Sequence, residues 1–311
     1  MVVRATTSTT ATAPFNILDV YTGAAAAYSL RKLRGAYSGA AVRVRRSNDN
    51  AEQDIGFDAN GNFNESALTS FVGVNSGFVT TWYDQSGNAR HATQTTAANQ
   101  PRIVLNGVVN KNGNRVSLFW DNTDDSLRVL PAALTVPQPV TAFSVVKLNN
   151  ATTGNASVIF DANTTSQFAL YNSGNTETPN FTAFLGAGNT ITNGLVTNNQ
   201  TSFYGLFNGA NSRVSQNGQV GATGNAGANS LQGLSIGALR PLGAGAEASY
   251  FMDGNISEII LYASDQSAGR AAIESNIMSY FGIPRAGDTL SVNNNSDELA
   301  TNGNGDTLGV A

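Results

Sequence analysis

From Arg102 onward the chain is a series of short apolar runs cut at close intervals by Gly, Asn and Asp. That punctuation limits the fold more than any other feature. The runs are too short and too often interrupted for alternating strand–helix units. Candidate strands are Arg102–Val109, Arg115–Trp120, Leu127–Val129, Val140–Leu148, Ser157–Phe160, Phe168–Tyr171, Asn180–Phe184, Ser202–Phe207, Ser212–Gln216, Gly233–Ile236 and Gly254–Tyr262. Asn208-Gly209 and Asn217-Gly218 are hairpin dipeptides, because both residue types tolerate the left-handed backbone that tight turns require. The expected fold class is all-β, with antiparallel sheets packed as a sandwich or jelly roll.

Three stretches depart from this pattern. Ala24–Leu33 is rich in alanine, leucine and arginine and predicts a short N-terminal helix. Asn64–Phe71 predicts another short helix. Ser264–Gly282 predicts the one clear C-terminal helix, with Ile273, Ile277 and Phe281 as its apolar stripe and Gly282 and Pro284 as its stop. Between the first two, Ala40–Arg46 and Glu52–Phe57 read as a hairpin in which Arg43 and Arg45 share one face with Glu52 and Asp54 opposite. Residues 1–14 and 285–311 are polar arms of low complexity. The domain between them spans 15–284.

Composition narrows the function classes. Only 12% of residues are charged and the net charge is −4, so the basic field that nucleic-acid binding needs is missing. There is no cysteine, which removes disulfides, thiolate metal sites and a thiol nucleophile. No apolar run approaches the length of a membrane span. Met1–Thr7 lacks the apolar core of a secretory signal, so use without export is expected.

The densest cluster of chemical groups is Trp82-Tyr83-Asp84-Gln85-Ser86-Gly87-Asn88-Ala89-Arg90-His91, at the end of an alternating run. It holds the only histidine and one of two tryptophans. Trp82, Tyr83, Asp84, Gln85, His91 and the second tryptophan, Trp120, are candidate ligand-binding residues. The same acid and hydroxyl can instead serve the backbone of their own turn. A serine-nucleophile hydrolase is not expected, because neither G-x-S-x-G nor a second histidine is present. Asp121, Asp124 and Asp125 form the densest acidic group, and closely spaced carboxylates in a loop are candidate ligands for Ca2+. No other cofactor is expected.

Phe251–Tyr262 followed by a helix ending in Tyr280-Phe281-Gly282 resembles the last strand and closing helix of concanavalin A-like, laminin-G-type jelly rolls. Tyr28–Arg31, Tyr37–Gly39, Val42–Asp49, Ile55-Gly56, Tyr83–Asn88 and His91 fall in the order seen in the α-L-arabinofuranosidase B catalytic domain. The same block is similar to segments of tailed-phage virion proteins. The first resemblance implies a concanavalin A-like sandwich. The second implies a retaining glycosidase with two carboxyl groups about 5–5.5 Å apart. The segment matching that family's middle part, Ile159–Gln167, has Asp161 but no glutamate. The late segment, Ser235–Pro241, has no acid. Glu177, Glu247 and Asp253 are the possible substitutes.

The function expected from these readings is a non-enzymatic virion protein of a tailed phage, a head decoration or tail-associated subunit located in the virion. It would be a homo-oligomer contacting other virion subunits through its two arms, and its sandwich would offer host-surface glycans a binding face. The alternatives are an arabinofuranosidase-like glycoside hydrolase and a free carbohydrate-binding module.

Overall fold

The computed structural model describes residues 16–149, 157–164, 168–172, 180–186, 191–195, 198–239 and 249–285. The two arms lie outside these residues, except Arg285. The architecture is an all-β sandwich of antiparallel ladders with three helices, Ile17–Val20 (α1), Glu65–Val72 (α2) and Arg270–Phe281 (α3), among the described residues. None of the three is long and apolar enough to cross a membrane.

One side of the sandwich is built on the closing strand, Asp253–Tyr262. It pairs with Ala24–Ser29 on one flank and with Val140–Leu148 on the other. Val140–Leu148 continues to Thr201–Phe207, and that strand to Ser212–Gln216. These strands are buried on both faces, which explains their nearly unbroken apolar character. Tyr28, Ala142, Phe203, Ile259 and Leu261 face the interior between the sheets. Ala27, Phe143, Tyr204, Ile260 and Tyr262 face outward, where Ile273, Ile277 and Phe281 of α3 and Ile17 and Leu18 of α1 cover them.

The opposite side is half solvated and alternates cleanly. Val42 and Val44 point inward while Arg43 and Arg45 point out. Val42–Arg46 pairs with Glu52–Ile55 and with Gly77–Trp82. Arg43 meets Glu52 at 2.6 Å and Asp54 at 3.1 Å, the cross-hairpin pairing that the alternation predicts. Leu118–Asp121 pairs with the closing strand and, at Phe119, with Arg102, and so carries the ladder around one corner. Trp120 therefore reaches the interior at that corner.

The expected strands and two of the expected helices are present, with ends shifted by a few residues. The N-terminal helix is not where alanine content places it. Ala24–Ser29 is a fully buried strand, and the single-turn helix α1 precedes it at Ile17–Val20. Alanine favours helix only when nothing competes. Here the four alanines are small enough to fit between the closing strand and the layers on both sides, and the ladder outweighs a propensity difference of under about 1 kcal/mol per residue.

A buried ion pair ties this strand to the rest. Arg31 Nε donates to Glu258 Oε2 at 2.8 Å and Nη2 donates to Oε1 at 2.9 Å. Ser29 Oγ donates to the same carboxylate at 2.8 Å, and Arg31 Nη1 donates to Asn276 of α3 at 2.8 Å. The guanidinium also lies 4.7 Å from the centre of the Tyr280 ring.

Candidate active site

The Trp82–His91 segment is held together from within. Asp84 is 1% exposed. Its Oδ1 accepts from the amides of Ala27 (2.8 Å) and Ser86 (2.9 Å). Its Oδ2 accepts from Ser86 Oγ (2.7 Å) and the Arg90 amide (3.0 Å). Gln85 is wholly buried. Its Oε1 accepts from the Leu33 amide at 2.8 Å, and its Nε2 donates to the carbonyls of Ser29 and Arg31 at 2.9 and 3.0 Å. His91 does not meet the Asp84 carboxylate; its Nδ1 accepts from the Asp84 backbone amide at 3.1 Å. Tyr83 donates to Asp54 at 2.8 Å and lies edge-on to His91. Trp82 and Trp120 are both 0% exposed, with ring centres 6.3 Å apart, so neither offers a face to a ligand. The segment is a strut joining the end of strand Gly77–Trp82 to the chain that follows strand Ala24–Ser29.

The acidic group at the end of strand Leu118–Asp121 is different. Asp121, Asp124 and Asp125 each bring a carboxylate oxygen within 4.8 Å of the other two. Asp121 is exposed and Asp125 is buried. The Asp121 amide donates to Asp125 Oδ2 at 3.1 Å, which fixes the buried carboxyl beneath the exposed one. Thr123 donates its amide to Asp121 Oδ1 at 2.9 Å and closes the turn. Burial, and then the neighbouring charge of Asp121, push the Asp125 carboxyl up to about 7. The Asp121 amide and Arg102 pull the other way without cancelling this. Asp124 is raised by the same two causes. Two carboxyl groups whose surroundings differ this much supply an acid and a carboxylate side by side. The same oxygens are the only His, Asp or Glu group among the described residues placed to hold a cation such as Ca2+.

The backbone around this corner brings further groups to it. Asp121 is in register with Asp253, and the Asn122 amide donates to the Met252 carbonyl at 3.0 Å. Met252 in turn donates to Gly237 at 2.8 Å. Gly237 is obligatory: its φ is +83°, and a Cβ there would run into the indole nitrogen of Trp120. Tyr250 is 56% exposed, with φ +53°, at a register irregularity beside Ala238–Leu239. A bulky residue held in the left-handed region is strained, and such strain gathers at functional sites. The Tyr171 hydroxyl is raised by burial and then by Tyr250, so the two phenols are neighbours.

Asp161, the acid of the Ile159–Gln167 segment, is wholly buried. Its Oδ1 accepts from the amides of Ala162 at 2.7 Å and Phe168 at 2.8 Å, which fastens the turn between two strands. Asn163 follows it and donates to the Val129 carbonyl at 3.1 Å. Glu177 and Glu247 lie outside the described residues. Asp253 accepts from Asn149 at 3.1 Å.

Residues 18–217, well over half of the chain, match the family model for the catalytic domain of α-L-arabinofuranosidase B. The chain belongs to the α-L-arabinofuranosidase B catalytic family. Solved structures agree on the fold. A GH54 α-L-arabinofuranosidase soaked with a cyclic sulfate inhibitor superposes with a TM-score of 0.62 at 16% identity. An arabinofuranosidase complexed with arabinofuranosyl-α-1,2-xylobiose gives 0.60 at 16% identity. In both cases the match covers 86% of this chain and 65% of the other, so the family member described here spans less than two thirds of those chains. A search of the curated proteins finds no match.

These matches correct the functional expectation from sequence. The non-enzymatic virion subunit and the virion location are overturned, because the family matched over residues 18–217 is that of a catalytic domain. The misleading features were the Thr/Asn-rich composition and the polar arms, which describe a surface and not a reaction. The sequence reading placed Asp121, Asp124 and Asp125 together but assigned them to a metal only.

Proposed function

We propose that the chain is a glycoside hydrolase acting on α-L-arabinofuranosidic linkages. The family match over residues 18–217 carries this reading. The residue assignment rests on the Asp121–Asp125 pair. Asp125, neutral up to about pH 7, protonates the leaving oxygen. The Asp121 carboxylate attacks the anomeric carbon and forms a glycosyl ester. Asp125, now ionised, then takes a proton from the water that cleaves that ester. One oxygen of each carboxyl lies within 4.8 Å of the other, which leaves no room for the intervening water that inverting enzymes hold across about 6.5–9.5 Å. Retention of anomeric configuration is therefore expected.

The test is hydrolysis of 4-nitrophenyl α-L-arabinofuranoside, with the first-formed anomer read by NMR. Asp125→Asn and Asp121→Asn should each lower kcat/KM by roughly 10²–10⁴-fold. Activity of the unaltered protein should fall as pH rises through about 7, as the acid is lost. Hydrolysis that survives both substitutions would remove the assignment of the pair. Saturable sugar binding with no turnover would remove the hydrolase reading itself.

A further inference from the structure

A second concave surface shares no residue with the acidic corner. It is a cleft of about 410 Å³ lined by Lys32, Tyr37, Ser38, Gly39, Phe57 and Asp58, among others. That volume falls within the roughly 300–1,000 Å³ of small-molecule sites. We infer that this cleft is a separate saccharide subsite that takes a neutral sugar unit.

Its walls are built before any ligand arrives. Phe57 packs against the main core and bridges to Phe63. Tyr37 stands edge-on to Phe57, with ring centres 6.3 Å apart, and its hydroxyl donates to the Ala40 carbonyl at 2.8 Å. A Cβ at Gly39 would come within 2.6 Å of that hydroxyl, so a larger residue there would displace the Tyr37 ring. Burial, then the charges of Asp84, Tyr83 and Asp54, push the Tyr37 phenol up to about 12, and the ring stays neutral.

The polar groups suit a vicinal diol. The Lys32 amide is tied to the Gly61 carbonyl at 2.8 Å. Its ammonium has no hydrogen-bond or ion-pair partner among the described residues, and offers a donor. Asp58 Oδ1 accepts from the amides of Asn60 and Asn62, both at 2.9 Å. Oδ2 remains to accept from a hydroxyl. One free donor, one backbone-anchored acceptor and two half-buried rings recognise the hydroxyl edge and the C–H face of a sugar. One cation against one anion leaves no excess charge, which disfavours a uronate over a neutral unit.

The cleft reading does not depend on the hydrolase reading, and its test separates the two. Binding of neutral arabino- and xylo-oligosaccharides, and of a uronate oligosaccharide as comparison, is measured by calorimetry and NMR on the Asp121→Asn/Asp125→Asn protein, where turnover is suppressed. A neutral oligosaccharide should bind saturably and shift resonances of residues 32–58. Tyr37→Ala and Lys32→Met should each weaken it about tenfold or more. Ser38→Trp, at an exposed position on the rim, should block it while leaving the fold intact by circular dichroism. Unchanged affinity in these three variants, binding of the uronate alone, or no saturable binding of any neutral oligosaccharide would overturn the inference.

Discussion

Two segments of this molecule start alike and end differently. Trp82 ends one strand, Trp120 stands one residue from the end of another, and both point into the same core with ring centres 6.3 Å apart. Each is followed at once by acidic and polar side chains. After Trp82, the Asp84 carboxylate accepts from three backbone amides and the Ser86 hydroxyl, and the Gln85 side chain accepts from one backbone amide and donates to two carbonyls. After Trp120, the carboxylates of Asp121, Asp124 and Asp125 crowd one another instead. The first segment is saturated and structural. The second is frustrated, and frustration is what shifts a proton affinity. A dense group of reactive residue types is therefore a poor guide to chemistry until its hydrogen bonds are counted.

The contrast can be broken at several points. Asp84→Ala should cause the largest stability loss, about 4 kcal/mol or more, because four donors lose their acceptor in a buried site. Thermal unfolding would show this as a drop on the order of 10 °C. A loss near 1 kcal/mol would mean that water replaces the carboxylate and the strut reading fails.

The matching change in the other segment should act with the opposite sign. Asp125 has its affinity for protons raised to about 7 in the fold, well above the ordinary carboxylate range. Its stabilising contribution is complete at low pH, where it is neutral in both states. That contribution is lost as pH rises through about 7, because the folded state must then hold a desolvated charge. Asp125→Asn should match the unaltered protein near pH 4 and exceed it by about 1–3 kcal/mol at pH 8. Urea unfolding at the two pH values reads the difference, and a variant less stable at pH 8 would refute it. The smallest effect should come from Tyr83→Phe. It removes a largely exposed hydrogen bond to Asp54 and should change stability by under about 1 kcal/mol in the same measurement. A larger change would extend the strut to the sheet surface.

Much of the sandwich was legible because its signals are local. Asn217-Gly218 takes positive φ at both residues, as its composition demands. Val42–Arg46 alternates because one face is wet. Ile273, Ile277 and Phe281 recur because α3 has one side to bury. The Ala24–Ser29 strand was not legible, since its partner lies at the far end of the sequence. The candidate site was half legible: Asp121, Asp124 and Asp125 are neighbours in sequence and stay neighbours in space. Which of them is buried depends on a corner that strand pairing makes.

The Arg31–Glu258 pair spans 227 residues of chain. At synthesis rates of roughly 5–20 residues per second, the first strand exists for on the order of 10–50 seconds before its partner leaves the ribosome. The family's own stretch, 18–217, is then already made, yet Ala24–Ser29 has no ladder and Arg31 no counter-charge. The matched segment lacks the partner of its own first strand. The sandwich closes only when its last strand is delivered.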